Sequence, residues 1–316
     1  MIDTVAHSQQ TSSRLHVGVA ARRSPDTLKA ALAAAAAAQG ELDGATPALV
    51  IVVTTAPPSG DIVRAVRGVL GPVGVSGGVA SALLTSDGVM TEGALVICVA
   101  RGDGATTGVA ATHGRTLTDA AQAAGRLVLA GWPFRERYPR GIGLAFTARG
   151  TGAPAGGFLA PWRELVGPKM RTLCGTMADS TIFGACSAEP LASVGCLEAP
   201  YAMGLAVAGS EHTEPAMMIH DTVEATRNAL KWLNGQRPRL VLALESAARY
   251  RALGTAAAME WTAVREYVGE HGASDTPVVG WLCDEVAAYG RGVHPVDLPG
   301  GLILAALGDA QRERNA

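Results

Sequence analysis

The chain has 316 residues, of which 48% are hydrophobic and 17% charged, with a formal net charge of -2. That length buries a large core and suggests two or three domains, while the near-neutral charge and the lack of a Lys/Arg block argue against a nucleic-acid or anionic-membrane surface. Arg135, Arg137 and Arg140 come nearest to a cluster and, with Glu136 among them, read as a solvated turn. Aromatics make up only 4% against 39 glycines, so the core is built from small aliphatic side chains.

Residues 1–14 are polar and read as a disordered lead-in without the basic and apolar regions of a signal peptide. The first element signal comes at once. Ser24-Pro25-Asp26 offers an N-cap, a fixed φ and a negative charge ahead of an Ala-rich helix over 28–38. An apolar strand over 48–54, a helix over 61–70 and a hairpin pairing 73–78 with 94–99 complete a first pass. The stretch 68–86 is uncharged until its end but rich in Gly and Ser, which suits a buried hairpin and not a membrane helix.

The pattern then returns twice. Thr116 with Asp119 opens a helix running through Leu129, followed by a strand over 141–147, a helix over 158–166, and a hairpin of 173–178 with 201–207. Asp221 with Glu224 opens a helix through Leu233, followed by a strand over 239–244, a helix over 258–268, and a hairpin of 277–282 with 301–306. A unit of helix, strand, helix, strand, strand recurring at a spacing of about a hundred residues is domain-sized, too long for a solenoid repeat. The expected fold is therefore α/β, with three related lobes in a pseudo-threefold arrangement, mixed sheets and helices outside. The divisions fall at 15–105, 106–211 and 212–308, with a tail over 309–316. Hydrophobic strand residues such as Val52, Leu144 and Leu242 should then hold equivalent buried positions.

Signals for chemistry are sparser. None of the seven histidines stands at metal-ligand spacing from another His or a Cys, so neither a metal nor a cofactor is expected. Cys98, Cys174, Cys186, Cys196 and Cys283 are odd in number and form no C-x-x-C pair, which points to reduced thiols in the cytoplasm. Gly74-Val75-Ser76-Gly77-Gly78 lacks the Lys-Ser/Thr of a P-loop and leads to a strand, not to the helix of a nucleophile elbow. It reads as a tight strand bend where something approaches the backbone.

These residues together carry a resemblance. The run 15–102, with its Ala-rich helix, a strand ending Val53-Thr54-Thr55, and the stretch 72–79, resembles the N-terminal half of the FIST domain, a sensory domain of bacterial signalling proteins and of some eukaryotic F-box proteins. From Arg239 onward the chain is similar to the C-terminal half. Leu244-Glu245-Ser246-Ala247-Ala248-Arg249 stands where the family has a strand ending in a small residue followed by Arg, and 279–286 where it has a glycine, an aromatic and Gly-Glu. Asp284 replaces the Gly of that pair, and its spacing from Gly280 is tighter. The resemblance implies binding of small molecules, amino acids among them, and signal transduction through an output module. No such module is read in this chain, so the resemblance implies either a separate signalling partner or a different role.

Ligands in open α/β sheets sit beyond the carboxyl ends of strands. The residues expected there are Thr54, Thr55, Ser76, Thr147, Arg149, Thr176, Asp179, Ser246, Arg249, Cys283, Asp284 and Glu285. They offer cations for a carboxylate, acids for an ammonium, and hydroxyls between. Arg249 has a second reading, as an ion pair with Glu285 or Asp284 that closes the third lobe.

The competing class is a cofactor-independent enzyme, such as a hydrolase of a small amide or ring substrate held between the lobes. Cys283 or Ser76 would be the nucleophile if His113, His220 or His294 came within reach. The acids beside Cys283 disfavour its thiolate. Three-lobed ring-opening amidohydrolases use a Ser-Lys pair in each lobe, whereas Lys29, Lys169 and Lys231 sit on or near helices. The deciding observation is whether a nucleophile touches a base inside one enclosed cavity.

Overall fold

A computed structural model describes residues 15–100, 106–130, 141–151, 154–168, 170–184, 190–198, 201–209, 212–272, 274–289 and 296–310. The first unit contains β1 (Val17–Arg22), α1 (Thr27–Gly40), β2 (Pro47–Thr54), α2 (Ile62–Leu70), β3 (Gly74–Val79), β4 (Leu83–Thr85), β5 (Gly88–Met90) and β6 (Ala94–Ala100). The second contains β7 (Thr106–Thr112), α3 (Leu117–Ala130), β8 (Gly141–Thr147), α4 (Gly156–Val166), β9 (Met170–Thr176), β10 (Ile182–Gly184) and β11 (Ala192–Glu198). The third contains β12 (Tyr201–Ala208), α5 (Pro215–Lys231), β13 (Pro238–Ser246), α6 (Ala247–Leu253), α7 (Ala257–His271), β14 (Val278–Cys283), β15 (Glu285–Ala288), β16 (Val296–Asp297) and β17 (Leu302–Ala310).

Three mixed sheets result, ordered β1-β6-β2-β3-β10, β7-β11-β8-β9-β15-β16 and β12-β17-β13-β14-β4-β5. The first four strands of each come from one unit in the same order. The remaining strands at that edge are lent by another unit: the second lends β10 to the first sheet, the third lends β15 and β16 to the second, and the first lends β4 and β5 to the third. The protein is thus an α/β fold of three related units with cyclic strand exchange.

Register makes the equivalence residue-specific. Val53, Phe146 and Leu244 each pair with the third strand of their unit on one side and with the closing strand, at Leu95, Ser193 and Ile303, on the other. Their inward faces meet in a core shared by all three sheets, where Phe146 stacks on Trp281 at 5.6 Å between ring centroids. The outward faces are covered by helices, which is why the central strands are apolar on both sides. Leu144 and Leu242 occupy equivalent positions in the shared core, but the third member of that set is Ile51. Val52 faces α1 and α2, in register with Ala145 and Ala243.

The structure corrects the sequence-based outline in several places. β3 and β6 do not pair as a hairpin, because β2 lies between them and the intervening β4 and β5 leave for another sheet. The first two units open on strands, β1 and β7, that the outline lacks. The segment 201–207, expected to close the second unit, is part of β12 and pairs with β17 in the third sheet. β17 continues through Asp309, which an outline ending at 308 places in the tail. The lead-in over 1–14 lies outside the described residues.

Helix starts also differ. Asp26, not Ser24, caps α1 by accepting from Lys29 N at 3.0 Å, and Ser24 Oγ accepts from Asp26 N at 3.2 Å. α5 begins at Pro215, so Asp221 lies inside the helix, where it holds His212 at 2.7 Å. Thr116 does accept from Asp119 N, at 3.1 Å.

Candidate functional site

The carboxyl ends of β3, β9 and β14 converge on the pseudo-threefold axis. Three backbone hydrogen bonds run around it, each from one unit to the next: Ser81 N to Leu282 O at 3.2 Å, Ala178 N to Val79 O at 2.9 Å, and Asp284 N to Thr176 O at 2.8 Å. Directly before these donors in the chain, Ala80, Met177 and Cys283 are buried in the shared core.

Arg149 sits on this rim. Its Nε lies 3.0 Å from Asp284 Oδ2, its Nη1 donates to Ala178 O at 3.2 Å, and its backbone N donates to Asp179 O at 3.3 Å. The Arg149 side chain is 64% exposed and that of Asp284 28%. Asp179 Oδ1 accepts from Thr181 N and Oγ1 at 2.9 and 2.7 Å, which orders the turn after β9. The structure therefore brings Arg149, Asp179 and Asp284 together from two units.

The side chains of the other expected threonines, serines and Glu285 are engaged in local bonds. Thr54 Oγ1 donates to Ala56 O, and Thr55 closes the end of β2 by exchanging bonds with Gly93. Thr147 and Thr176 are buried with hydroxyls 3.1 Å apart. Ser76 Oγ lies 2.8 Å from Ser193 Oγ, a buried hydroxyl pair joining the first and second units. What approaches the glycine bend beside it is the protein itself: a Cβ on Gly77 would stand 1.7 Å from Val52 O, and one on Gly78 2.9 Å from Met177 Cγ. Ser246 caps α6, accepting from Ala248 N and also from Gly300 N. Glu285 accepts from Ala155 N at 3.3 Å beside the start of α4, so it serves the second unit's helix.

Arg249 is wholly buried. Nε and Nη2 donate to Glu260 Oε1 at 3.0 and 2.7 Å, Nη2 also to Met218 O and Thr222 Oγ1, and Nη1 to Gly209 O. Its carboxylate partner is Glu260, not Asp284 or Glu285. The guanidinium braces α5, α6 and α7. Periodicity carried a signal for Glu260, since it shares the buried face of α7 with Ala257, Val264 and Val268.

The geometry around the proposed nucleophiles is equally specific. Cys283 is fully buried, and burial first, then the charges of Cys174 and Asp284, push its thiol far above the ordinary range. His113 and His220 are exposed, and His294 lies outside the described residues. Lys29 is on α1 and Lys231 on α5, while Lys169 lies outside the described residues.

A cavity of about 130 Å3 opens at the opposite, amino ends of the strands, between the first and third units. Arg237 and Arg239 on its wall pair with Asp275 and Asp309, so its cations are already matched. None of the expected site residues lines it. No helix among the described residues is long and apolar enough to cross a membrane.

No family model matches the chain, and no curated protein matches it. Among solved structures it is similar to a cyanuric acid hydrolase from A. caulinodans, with 15% identity, 95% of this chain and 99% of that one covered, and a TM-score of 0.47. A second cyanuric acid hydrolase structure gives 12% identity over 95% of this chain and 100% of that one, with a TM-score of 0.42. A T. maritima PurL complex with ATP gives 10% identity over 94% and 74%, with a TM-score of 0.31.

Proposed function

We propose that the protein binds a small carboxylate or amino-acid-like molecule at the rim around Arg149, as a cytoplasmic sensory protein of the FIST type that signals through a separate partner. The observation that carries this reading is the Arg149 guanidinium, largely exposed and held by a half-buried Asp284 where strand ends of three units meet. A ligand carboxylate would take the place of Asp284 on the planar guanidinium, with Asp284 and Asp179 left to face an ammonium. The free, buried thiols of Cys98, Cys174, Cys196 and Cys283 suit a reducing compartment.

The test is a thermal-shift screen of amino acids and small carboxylates on wild type and Arg149→Ala. Since an exposed ion pair is worth about 0–1 kcal/mol, the variant should melt near the wild type without ligand and lose ligand-induced stabilisation. Stabilisation that survives the substitution would place the site elsewhere.

A second reading, hydrolysis of a small amide or ring substrate, is favoured by one observation. Ser76 and Ser193 are a polar pair set by two units into an otherwise apolar shared core. Turnover of cyanuric acid or a related cyclic amide, abolished in Ser76→Ala, would put this reading first.

A further inference from the structure

Three ionisable side chains from three different elements meet in the interior of the third unit. Glu245 at the end of β13, Arg249 on α6 and Glu260 on α7 are 4%, 0% and 3% exposed. One guanidinium therefore serves two buried carboxyls. Of the two carboxyls Glu260 is the one that takes hydrogen bonds from it, its Oε1 accepting two from Arg249 and one from Thr222 Oγ1 at 2.5 Å. Glu245 Oε1 has no partner.

The two carboxyls also lie close enough for the charge of Glu260 to act on Glu245. Two buried carboxylates side by side repel, which favours a proton on one of them. Glu260 Oε1 is already hydrogen-bonded and Glu245 Oε1 is not, which leaves the proton to Glu245. Among the described residues, the strand neighbours of Glu245 are Leu282 on β14 and Leu302 on β17, α5 contributes the Thr222 hydroxyl and Met218 carbonyl near Arg249, and Asp221 of α5 is taken by His212.

We propose that a proton held by Glu245 against Glu260 closes this corner of the third unit and makes it a pH-sensitive latch for the start of α6. With the proton in place, β13, α6 and α7 close around a cluster of zero net charge. Without it, two adjacent buried carboxylates share one cation, and the cheapest relief is to let α6 and Ser246, which also holds Gly300 N, move toward water. The sign is set by burial, chiefly, and then by the Glu260 charge, both of which raise Glu245 above its ordinary range against the opposing pull of Arg249. A carboxyl raised in the folded state contributes stability that is complete below its unfolded value of about 4.3 and is lost as pH rises through its folded value.

The experiment is infrared spectroscopy of the full-length protein at neutral pH, with hydrogen exchange across residues 246–256 as pH is raised. The expected result is a carbonyl band of a protonated carboxylic acid that disappears in Glu245→Gln, and faster exchange of that segment at alkaline pH in the wild type but not in the variant. In the exchanging range the melting temperature should fall on the order of 3 °C per pH unit. Glu260→Gln gives an independent check, since Arg249 then has only Glu245 as counter-ion and the band should vanish there too. No such band at neutral pH, a band that persists in both variants, or segment exchange with the same pH response in wild type and Glu245→Gln would overturn the proposal.

Discussion

Gly204 on β12 lies against the Ala229 carbonyl of α5 so closely that a Cβ at Gly204 would stand 1.7 Å from Ala229 O. The equivalent glycine of the first unit, Gly18, has the same relation to Ala38 O at 1.8 Å, and both sit at the register position that Gly108 holds in the second unit. Three glycines thus let three helices seat on their opening strands. In the second unit the fit is looser, with Val128 Cγ1 3.4 Å from the position of a Gly108 Cβ.

Gly204→Ala should therefore push backbone against backbone and cost about 3 kcal/mol or more, the upper end of overpacking penalties. Gly108→Ala makes only ordinary contact and should unfold close to the wild type. Denaturant titration of both decides it, and equal losses would break the link between the close approach and stability.

Arg249→Met should cost about 3–5 kcal/mol, because it strands Glu260 and the carbonyls of Gly209 and Met218 in the interior. A loss of this size in the ligand-free protein marks Arg249 as a brace. A variant as stable as wild type would reopen it as a ligand clamp.

Cys98, Cys174, Cys196 and Cys283 are free and buried, and burial pushes the Cys98 thiol up to about 12. All four should label slowly with iodoacetamide near neutral pH and readily in denaturant, tracked site by site by mass spectrometry. Cys283 labelling first, with a midpoint below the roughly 8.5 of a free thiol, would make it a candidate nucleophile.

Asp309 ties the first unit to the third: it takes two close contacts from Arg239 Nε at 2.9 Å, one from Nη2 at 2.6 Å, and accepts from Leu15 N at 3.2 Å. Asp309→Ala should lower stability by about 2 kcal/mol, as for hydrogen bonds to a charged group. No change in the unfolding midpoint would show that the last strand ends functionally before this residue.

The sequence by itself determined that the chain repeats. Runs such as 48–54 and 239–244 are apolar on both strand faces, which only a sheet covered on both sides explains, and the helix signal at Thr116 marks a cap that the structure uses. It also placed Arg149, Asp179 and Asp284 beyond strand ends. The rest was decided by physics that is not local. β4, β10 and β15 pair with sheets of other units, and a short strand carries no mark of its partner. For the same reason 201–207 reads equally well as an end or a beginning until its pairing with β17 is known. The buried trio was out of reach likewise: Glu245 and Glu260 look like ordinary polar residues at a strand end and on a helix, Arg249 reads as a ligand clamp or an ion pair with Asp284 or Glu285, and only packing three elements together removes the water around them.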